Sequence, residues 1–238
     1  MKIKKGIRVF CLLMLLIIAC VLFASIVNEY NYQSKVYSQS VREIAAEPED
    51  QIPPELRDRA IIFNENSFGI TGPLVEDELK LLEEYTKKAD EKRGLFYPEA
   101  TGEITTYCSE RGNLTVKTYI HGEKPILYPL EIRSNGYTTV TFEPAPGYTF
   151  QNLQVGTGVN AGGIGISVSI PSGTNVRSTS TGFLQSIMLP ENVCYAKLGY
   201  EGFSVIGLTG RPVIDQTGSG SIRIGDNDFL TMKKVTIW

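Results

Sequence analysis

The 238-residue sequence contains one histidine, one tryptophan and four cysteines, which limits the chemistry available to it. A single histidine cannot supply the paired histidines of common zinc sites, and no phosphate-binding loop or serine nucleophile elbow is present. We therefore assign no catalytic residue and no metal ligand, and we expect no cofactor. The sequence does not identify ligand-binding residues either, and we do not expect an enzyme.

Positive charge is scarce where a nucleic-acid-binding surface would need it. Residues 28–100 hold sixteen acidic side chains against nine basic ones, and residues 101–238 hold ten of each. A neutral domain that follows an acidic segment lacks the basic patch that binds a phosphate backbone. No nucleic-acid partner is expected.

Long hydrophobic runs are also rare, and the exception is residues 9–27, which contain no charge, proline or glycine. Nineteen helical residues span about 28 Å, close to the ~30 Å hydrocarbon core of a bilayer. The basic leader at residues 1–8 precedes this run, and the positive-inside rule places such a leader in the cytoplasm. The sequence predicts a single transmembrane helix that acts as an uncleaved signal anchor, with residues 28–238 outside the cytoplasm.

Two processing signals leave the fate of this anchor open. The segment ending in Cys20 resembles a lipobox, in which Cys20 would be acylated. The basic leader ending in Gly6 resembles that of type IV prepilins, although Cys11 stands where such pilins carry glutamate. This second resemblance implies cleavage after Gly6 and a pilin-like subunit that assembles through its N-terminal hydrophobic helix.

Residues 28–60 are predicted to form a stalk, because Pro48, Pro53 and Pro54 each interrupt helix. Residues 61–100 are predicted to be a helical segment that packs on the domain that follows.

The helix itself is predicted to run from Pro73 to Arg93, capped by Thr71 or Gly72 and ended by Gly94. Acidic residues in its first turn and basic residues in its last turn suit the helix dipole. Its apolar side chains recur at helical spacing, which indicates one face in contact with a neighbour. They are Val75, Leu79, Leu82, Tyr85 and Ala89.

Residues 101–238 hold nineteen of the 23 glycines and a series of short alternating apolar and polar runs. Asn135-Gly136, between two such runs, is the strongest hairpin signal. Further turns are predicted at His121-Gly122 and Gly218-Ser219-Gly220. The pattern predicts a mainly β domain, an antiparallel β-sandwich or barrel-like fold preceded by the amphipathic helix.

Cys108 and Cys194 both lie in this β-domain, and two cysteines in an oxidising compartment commonly pair. Closing a loop of this length would contribute roughly 4–5 kcal/mol. A Cys108–Cys194 disulfide is therefore predicted.

His121, Cys194 and Arg211 also occur in the order used by sortases, which are N-terminally anchored β-barrels. The resemblance implies a cysteine transpeptidase in which His121 assists the Cys194 thiolate and Arg211 stabilises the oxyanion. The residues before Cys194 do not match the Thr-Leu-x-Thr-Cys pattern of that family.

Together these features predict a membrane-anchored cell-envelope protein whose extracytoplasmic β-domain has a non-catalytic binding or structural role. Its partners would be the membrane, through residues 9–27, and a protein or an envelope polymer. The pilin-like subunit and the sortase-like enzyme are the alternatives.

Overall fold

The computed structural model describes residues 48–94, 102–123, 130–162, 164–169, 174–207 and 213–237. The basic leader, the hydrophobic run at residues 9–27, Gly6, Cys20 and Arg211 lie outside these ranges, so the predictions made on them remain predictions. In the part of the chain that is described, no helix has the length and apolar character needed to cross a membrane.

The described residues form twelve strands, one α-helix and three short 3-10 helices. The 3-10 helices are Pro48–Gln51, Pro54–Arg59 and Ser109–Arg111, and α1 is Glu76–Lys92. The strands are β1 (Ala60–Asn64), β2 (Ser67–Thr71), β3 (Gly102–Tyr107), β4 (Gly112–Glu123), β5 (Leu130–Pro144), β6 (Asn152–Ala161), β7 (Ile164–Ser169), β8 (Asn175–Ser178), β9 (Gly182–Leu189), β10 (Val193–Gly207), β11 (Ile214–Ile224) and β12 (Asn227–Ile237).

The strands form two antiparallel sheets. Sheet A has the order β1-β2-β10-β5-β4-β3, with β7 also paired to β10, and sheet B has the order β12-β11-β6-β9-β8. The prediction of a mainly β, antiparallel fold is confirmed, and two such sheets are consistent with a sandwich.

Alternation along each strand sends one set of side chains into a core that the two sheets share. Val140 of β5 and Leu198 of β10 belong to the same buried cluster as Val155 of β6 and Ile222 of β11. Each is at most 1 % exposed. Burying one side chain of this size contributes about 1.5–3 kcal/mol, so this cluster holds the two sheets together.

A polar layer crosses the core and fixes how the sheets face each other. The Gln216 side-chain amide donates to the Tyr137 carbonyl (3.2 Å), and that of Gln185 donates to the Gly199 carbonyl (2.8 Å). Tyr137 and Gly199 are directly opposite each other on β5 and β10. Two glutamines of sheet B therefore bind neighbouring positions of sheet A. Because they are fully buried, an altered register would leave them without these partners.

The predicted helix is present, but it begins at Glu76 and not at Pro73. The Arg59 side chain donates to the carbonyls of Thr71 (2.8 Å), Gly72 (3.2 Å) and Pro73 (2.8 Å), so those carbonyls do not accept helical hydrogen bonds. Glu78 closes the first turn by accepting a hydrogen bond from the Val75 backbone amide (3.1 Å).

Helix α1 packs on sheet A through a small apolar contact. Leu82 is fully buried in a cluster with Phe68 and Ile70 of β2 and Tyr195 of β10. Val75, which the spacing placed on the same face, is 64 % exposed because it precedes the helix.

The segment before α1 departs from the predictions. Residues 48–59, predicted as stalk, belong to the folded domain, since Ile52 and Leu56 are each 1 % exposed in the cluster that holds Leu82. Residues 61–71, predicted as part of the helical segment, form the β1–β2 hairpin together with Ala60, and this hairpin pairs with β10. Proline does break α-helix here, but 3-10 turns accommodate it and the apolar residues between the prolines are buried.

The predicted hairpin at Asn135-Gly136 is wrong, because β5 runs straight through both residues. A Cβ on Gly136 would lie 2.7 Å from the Tyr119 carbonyl oxygen and would also meet the Gln216 side chain. Asn135 accepts a hydrogen bond (2.8 Å) from the Gly202 amide in a bulge of β10. Glycine marks a close approach here, and asparagine satisfies the neighbouring bulge.

Two other glycine-containing segments that the sequence predicts as turns also lie within strands. His121-Gly122 lies in β4, and Gly218-Ser219-Gly220 lies in β11. Gly156-Thr157-Gly158, which matches the letters of a dinucleotide fingerprint, lies in β6 and leads into no helix, so it is not a phosphate-binding loop. Glycine is used here where the neighbouring side chains leave no room for a Cβ.

Replacing Gly136 with alanine is expected to lower the free energy of unfolding by about 1–3 kcal/mol, because the added methyl group overpacks the polar layer. Chemical denaturation followed by circular dichroism measures the change. Gly162→Ala is the matched control, since nothing lies within 4 Å of its Cβ position. Equal free energies of unfolding for the two variants would show that a methyl group at position 136 does not overpack the polar layer.

Candidate functional site

The predicted Cys108–Cys194 disulfide is not formed. Both cysteines are free and buried. Cys108 follows β3 and Cys194 lies in β10, and the sheet order places β4 and β5 between them. Three interstrand spacings amount to about 14 Å, twice the Cα separation that a disulfide can span. The sequence showed that both residues lie in strands, but not that two other strands separate them.

The geometry does not bring His121 and Cys194 together either. His121 pairs with Asn135 of β5, whereas Cys194 lies beside Tyr195, which pairs with Thr141. Six residues along β5 correspond to about 20 Å. Burial raises the pKa of the Cys194 thiol to about 11, against the effect of the nearby Arg59 guanidinium. A nucleophilic cysteine needs a lowered pKa and an adjacent base, and Cys194 has neither here.

The acidic turn after β11 is a hairpin. Gly225 and Asp226 connect Ile224 to its partner Asn227, and Asp228 forms a two-point ion pair with Arg223 (2.7 and 2.9 Å). This carboxylate is already neutralised. The described ranges hold no group of three or more residues suited to a metal ion.

The unexpected chemistry lies under α1, where four charged side chains meet on the outer face of sheet A. We call Lys197 and Glu201 of β10, together with Asp90 and Arg93 at the end of α1, the charge cluster. Lys197 and Asp90 are each 2 % exposed, and the side chains of Arg93 and Glu201 are 6 % and 13 % exposed. Arg93 pairs with both Glu201 and Asp90, the latter at 3.6 Å.

Lys197 lies at the centre of the charge cluster. Its Nζ donates to Oε1 of Gln51 (2.6 Å) and lies 4.3 Å from the centroid of the Tyr137 ring. Gln51 in turn donates to the Glu65 carbonyl (3.0 Å). The ammonium is thus held by an amide, an aromatic face and the nearby Asp90 carboxylate.

Local backbone features position the side chains of Lys197, Glu201 and Gln51. Alternation along β10 turns Ala196 and Leu198 inward and Lys197 outward. The bulge between Tyr200 and Phe203 places Glu201 within reach of Arg93. Gln51 comes from the 3-10 helix that the prolines create.

Burial shifts the pKa values of Lys197 and Asp90 in opposite directions. Burial lowers the pKa of Lys197 to about 8; Asp90 opposes this shift and Arg93 reinforces it. Burial raises the pKa of Asp90, while Lys197 and Arg93 lower it. Both charged forms lose hydration, and each offsets part of the loss of the other.

The arrangement is closed to solutes. Gln51 and α1 cover Lys197. Less than one tenth of each side chain is exposed for Lys197, Asp90 and Arg93. A lysine with a lowered pKa is a candidate base or nucleophile where a substrate can reach it. No substrate can reach Lys197 without displacing α1. The role of the charge cluster is instead to join three parts of the chain: residues 48–51, α1 and β10.

Sequence reasoning missed this cluster. Lys197 stands at a polar position of an alternating run, which normally faces solvent. The only available signal was Asp90, which follows the apolar stripe of α1 directly after Ala89 and is out of place on a buried face.

The pKa of Lys197 predicts a pH dependence. Because its folded-state value is below the ordinary value near 10.5, the unfolded chain binds more protons between pH 8 and 10.5, so the free energy of unfolding rises with pH there. The rise from pH 7 to 9.5 should be about 2 kcal/mol for this group, and Lys197→Met should abolish it. The buried Tyr195 and Tyr200 and the half-buried Tyr119, whose pKa values are raised, act in the opposite direction near and above pH 10.

Denaturation of the wild type and the variant at pH 7, 8, 9 and 9.5 measures this difference. Lys80→Met is the matched control, because the Lys80 side chain lies on α1 and is 63 % exposed. If Lys197→Met retained the full rise, Lys197 would not be the titrating group.

The outer face of sheet B is the accessible counterpart, and no described element covers it. Three cross-strand rows make up what we call the sheet B face. The rows are Leu184-Gly158-Thr217-Lys234, Ser186-Gly156-Ser219-Met232 and Met188-Gln154-Ser221-Leu230.

Its relief follows from the residue types. The two central strands, β6 and β11, supply glycine, serine, threonine and glutamine. The flanking strands β9 and β12 supply Leu184 and Met188 on one side and Leu230 and Met232 on the other, all 48–60 % exposed. The result is a shallow trough, lined by small residues and Gln154, between two mainly apolar ridges.

No family model and no curated protein matches this chain. Among solved structures, the GAE domain of the yeast protein GGA1 aligns with 57 % of this chain and 98 % of its own length, at 10 % identity and a TM-score of 0.22. The GAE domain of GGA2p from Saccharomyces cerevisiae aligns with 57 % of this chain and 97 % of its own, at 9 % identity and a TM-score of 0.20. At TM-scores this low, the likeness supports no conclusion about fold or function.

Proposed function

We propose that this protein is anchored in a membrane by residues 9–27 and presents a β-sandwich domain outside the cytoplasm in a non-catalytic binding or structural role. The anchor rests on the uncharged nineteen-residue run and the basic leader before it. The role rests on the sheet B face, the observation that carries the proposal.

Four large apolar side chains, Leu184, Met188, Leu230 and Met232, remain exposed on this one face. A folded domain normally buries such residues or scatters them singly over its surface. Grouped on one flat sheet face beside neutral hydroxyl groups, they form the kind of patch that another macromolecule covers. The buried charge cluster supports the same role, because its ionisable groups contact one another and are closed to solutes.

The anchored topology is tested with two cysteine variants of the full chain. Thr149→Cys lies in an exposed loop of the β-domain, and Lys4→Cys lies in the basic leader. A membrane-impermeant maleimide applied to intact cells is expected to label Thr149→Cys at once and Lys4→Cys only after lysis. The described native cysteines are buried and give little background.

Labelling of Lys4→Cys alone in intact cells would reverse the proposed orientation. A chain without residues 9–27 provides the second readout. It should leave the membrane fraction, and its retention there would contradict the anchor.

A further inference from the structure

We propose that Lys197 and Gln51 react with each other inside the folded chain, forming an amide bond between Nζ of the lysine and Cδ of the glutamine with release of ammonia. The proposal goes beyond the binding role and does not depend on it. No outside substrate can reach Lys197, but this substrate is a side chain of the protein itself.

The two reacting groups are already in contact. Nζ of Lys197 lies 2.6 Å from Oε1 of Gln51. A carbonyl bond is about 1.23 Å long, so Nζ lies within about 3.8 Å of the carbon that it would attack. Reacting atoms held about 3–3.5 Å apart are close to the geometry of attack, and this proximity replaces the entropy cost of an encounter.

The surroundings hold both side chains in place. Gln51 donates from its amide to the Glu65 carbonyl (3.0 Å), and the centroid of the Tyr137 ring lies 4.3 Å from Nζ of Lys197. Gln51 is fully buried and Lys197 is 2 % exposed. Because water is excluded, no competing nucleophile reaches the amide before or after the reaction.

The buried Asp90 carboxyl provides the proton transfers that the reaction needs. Burial lowers the pKa of Lys197 to about 8 and raises the pKa of Asp90, so both shifts favour moving a proton from the ammonium to the carboxylate. The resulting neutral amine is a nucleophile, and the protonated carboxyl is a general acid. Oδ2 of Asp90 accepts no hydrogen bond from the described part of the chain, which leaves this oxygen able to carry the proton.

The atoms and electrons balance without a further reactant. The lone pair of Nζ forms the new bond to Cδ of Gln51, while Oε1 accepts the proton from Asp90. Asp90 then takes one proton from Nζ and passes it to Nε2. The bond between Cδ and Nε2 breaks, ammonia leaves, and Oε1 returns its proton to Asp90.

The product suits the charge cluster better than the reactants do. Before the reaction, two cations and two anions lie in a site with little water. Afterwards the amide carries no charge, Asp90 keeps its proton, and the ion pair between Arg93 and Glu201 remains. The desolvation cost of burying the Lys197 ammonium is removed, and the remaining charges still balance.

The contact of Lys197 with a carboxamide differs from the contacts of other lysines. Lys80, Lys117 and Lys234 each pair with carboxylates. A carboxylate resists attack by an amine because it already carries negative charge. Among these lysines, the chemistry of the contact therefore selects Lys197.

The bond would tie residues 48–51 directly to β10. It would close a loop of roughly 150 residues, which constrains the unfolded chain. An amide nitrogen does not titrate, so the rise in the free energy of unfolding predicted for Lys197 belongs to the chain before the bond forms. That rise is measured on the unbonded chain.

Peptide mapping of the full chain by tandem mass spectrometry tests the bond. The chain is extracted from its membrane, and one part is digested at once and another after incubation at pH 8. The expected product is a branched peptide that joins the segments containing Gln51 and Lys197, lighter than their sum by one ammonia molecule. Only linear peptides in both digests, or a bond from Lys197 to another residue, would overturn the proposal.

Two variants and a control identify the reacting groups. Lys197→Met and Gln51→Met should each abolish the branched peptide. Lys80→Met, on the exposed side of α1, should leave its yield unchanged. A branched peptide of the same mass in Lys197→Met would show that the bond comes from other residues.

A second pair of variants tests the proton transfer. Asp90→Asn keeps the size of the side chain but cannot carry the proton, and should lower the yield of branched peptide at equal times at least ten-fold. Asp90→Glu keeps the carboxyl and should restore much of it, with circular dichroism confirming that both variants are folded. An undiminished yield in Asp90→Asn would overturn the role assigned to Asp90.

Discussion

The pairing of β5 with β10 is the interaction on which the rest of the structure depends. It sets Leu198 against Thr138 and Lys197 against Thr139, so alternate residues of β10 enter the shared core and the outer face of sheet A. The register also presents the opposed Tyr137 and Gly199 to the two buried glutamines of sheet B. A shift of one residue would move Lys197 into the apolar core and remove the glutamine partners together.

The outer faces of the two sheets solve the same physical problem differently. Sheet A carries Phe68, Ile70 and Tyr195 outward, which is too much apolar surface to leave in water, and α1 covers it. The helix contributes few buried apolar side chains, so charged groups complete the contact. Buried ion pairs add little net stability, because desolvation opposes their attraction, but a wrong docking of α1 would leave each charge unpaired. The charge cluster therefore specifies where α1 lies more than it stabilises it.

Sheet B has no such cover among the described residues, and its composition fits that difference. Glycine and serine on β6 and β11 keep its centre low, while leucine and methionine rise on both sides. The structure thus separates two tasks. One face is closed by the chain itself through β10, α1 and residues 48–51, and the other remains available to a partner.

The sequence by itself determined the local features: the helix that stops before Gly94, the alternation of apolar and polar residues along the strands, and the mainly β class. These follow from capping, dipole and period-two alternation, which act within a few residues. It failed at Asn135-Gly136, at Cys108 with Cys194 and at residues 48–59 of the predicted stalk, and its only sign of the Lys197 environment was Asp90 on the buried face of α1. Only the tertiary structure decided these, because the bulge opposite Asn135, the strands between the cysteines and the Gln51 that covers Lys197 come from distant parts of the chain. Local sequence carries the period of a strand, but not the identity of its neighbours.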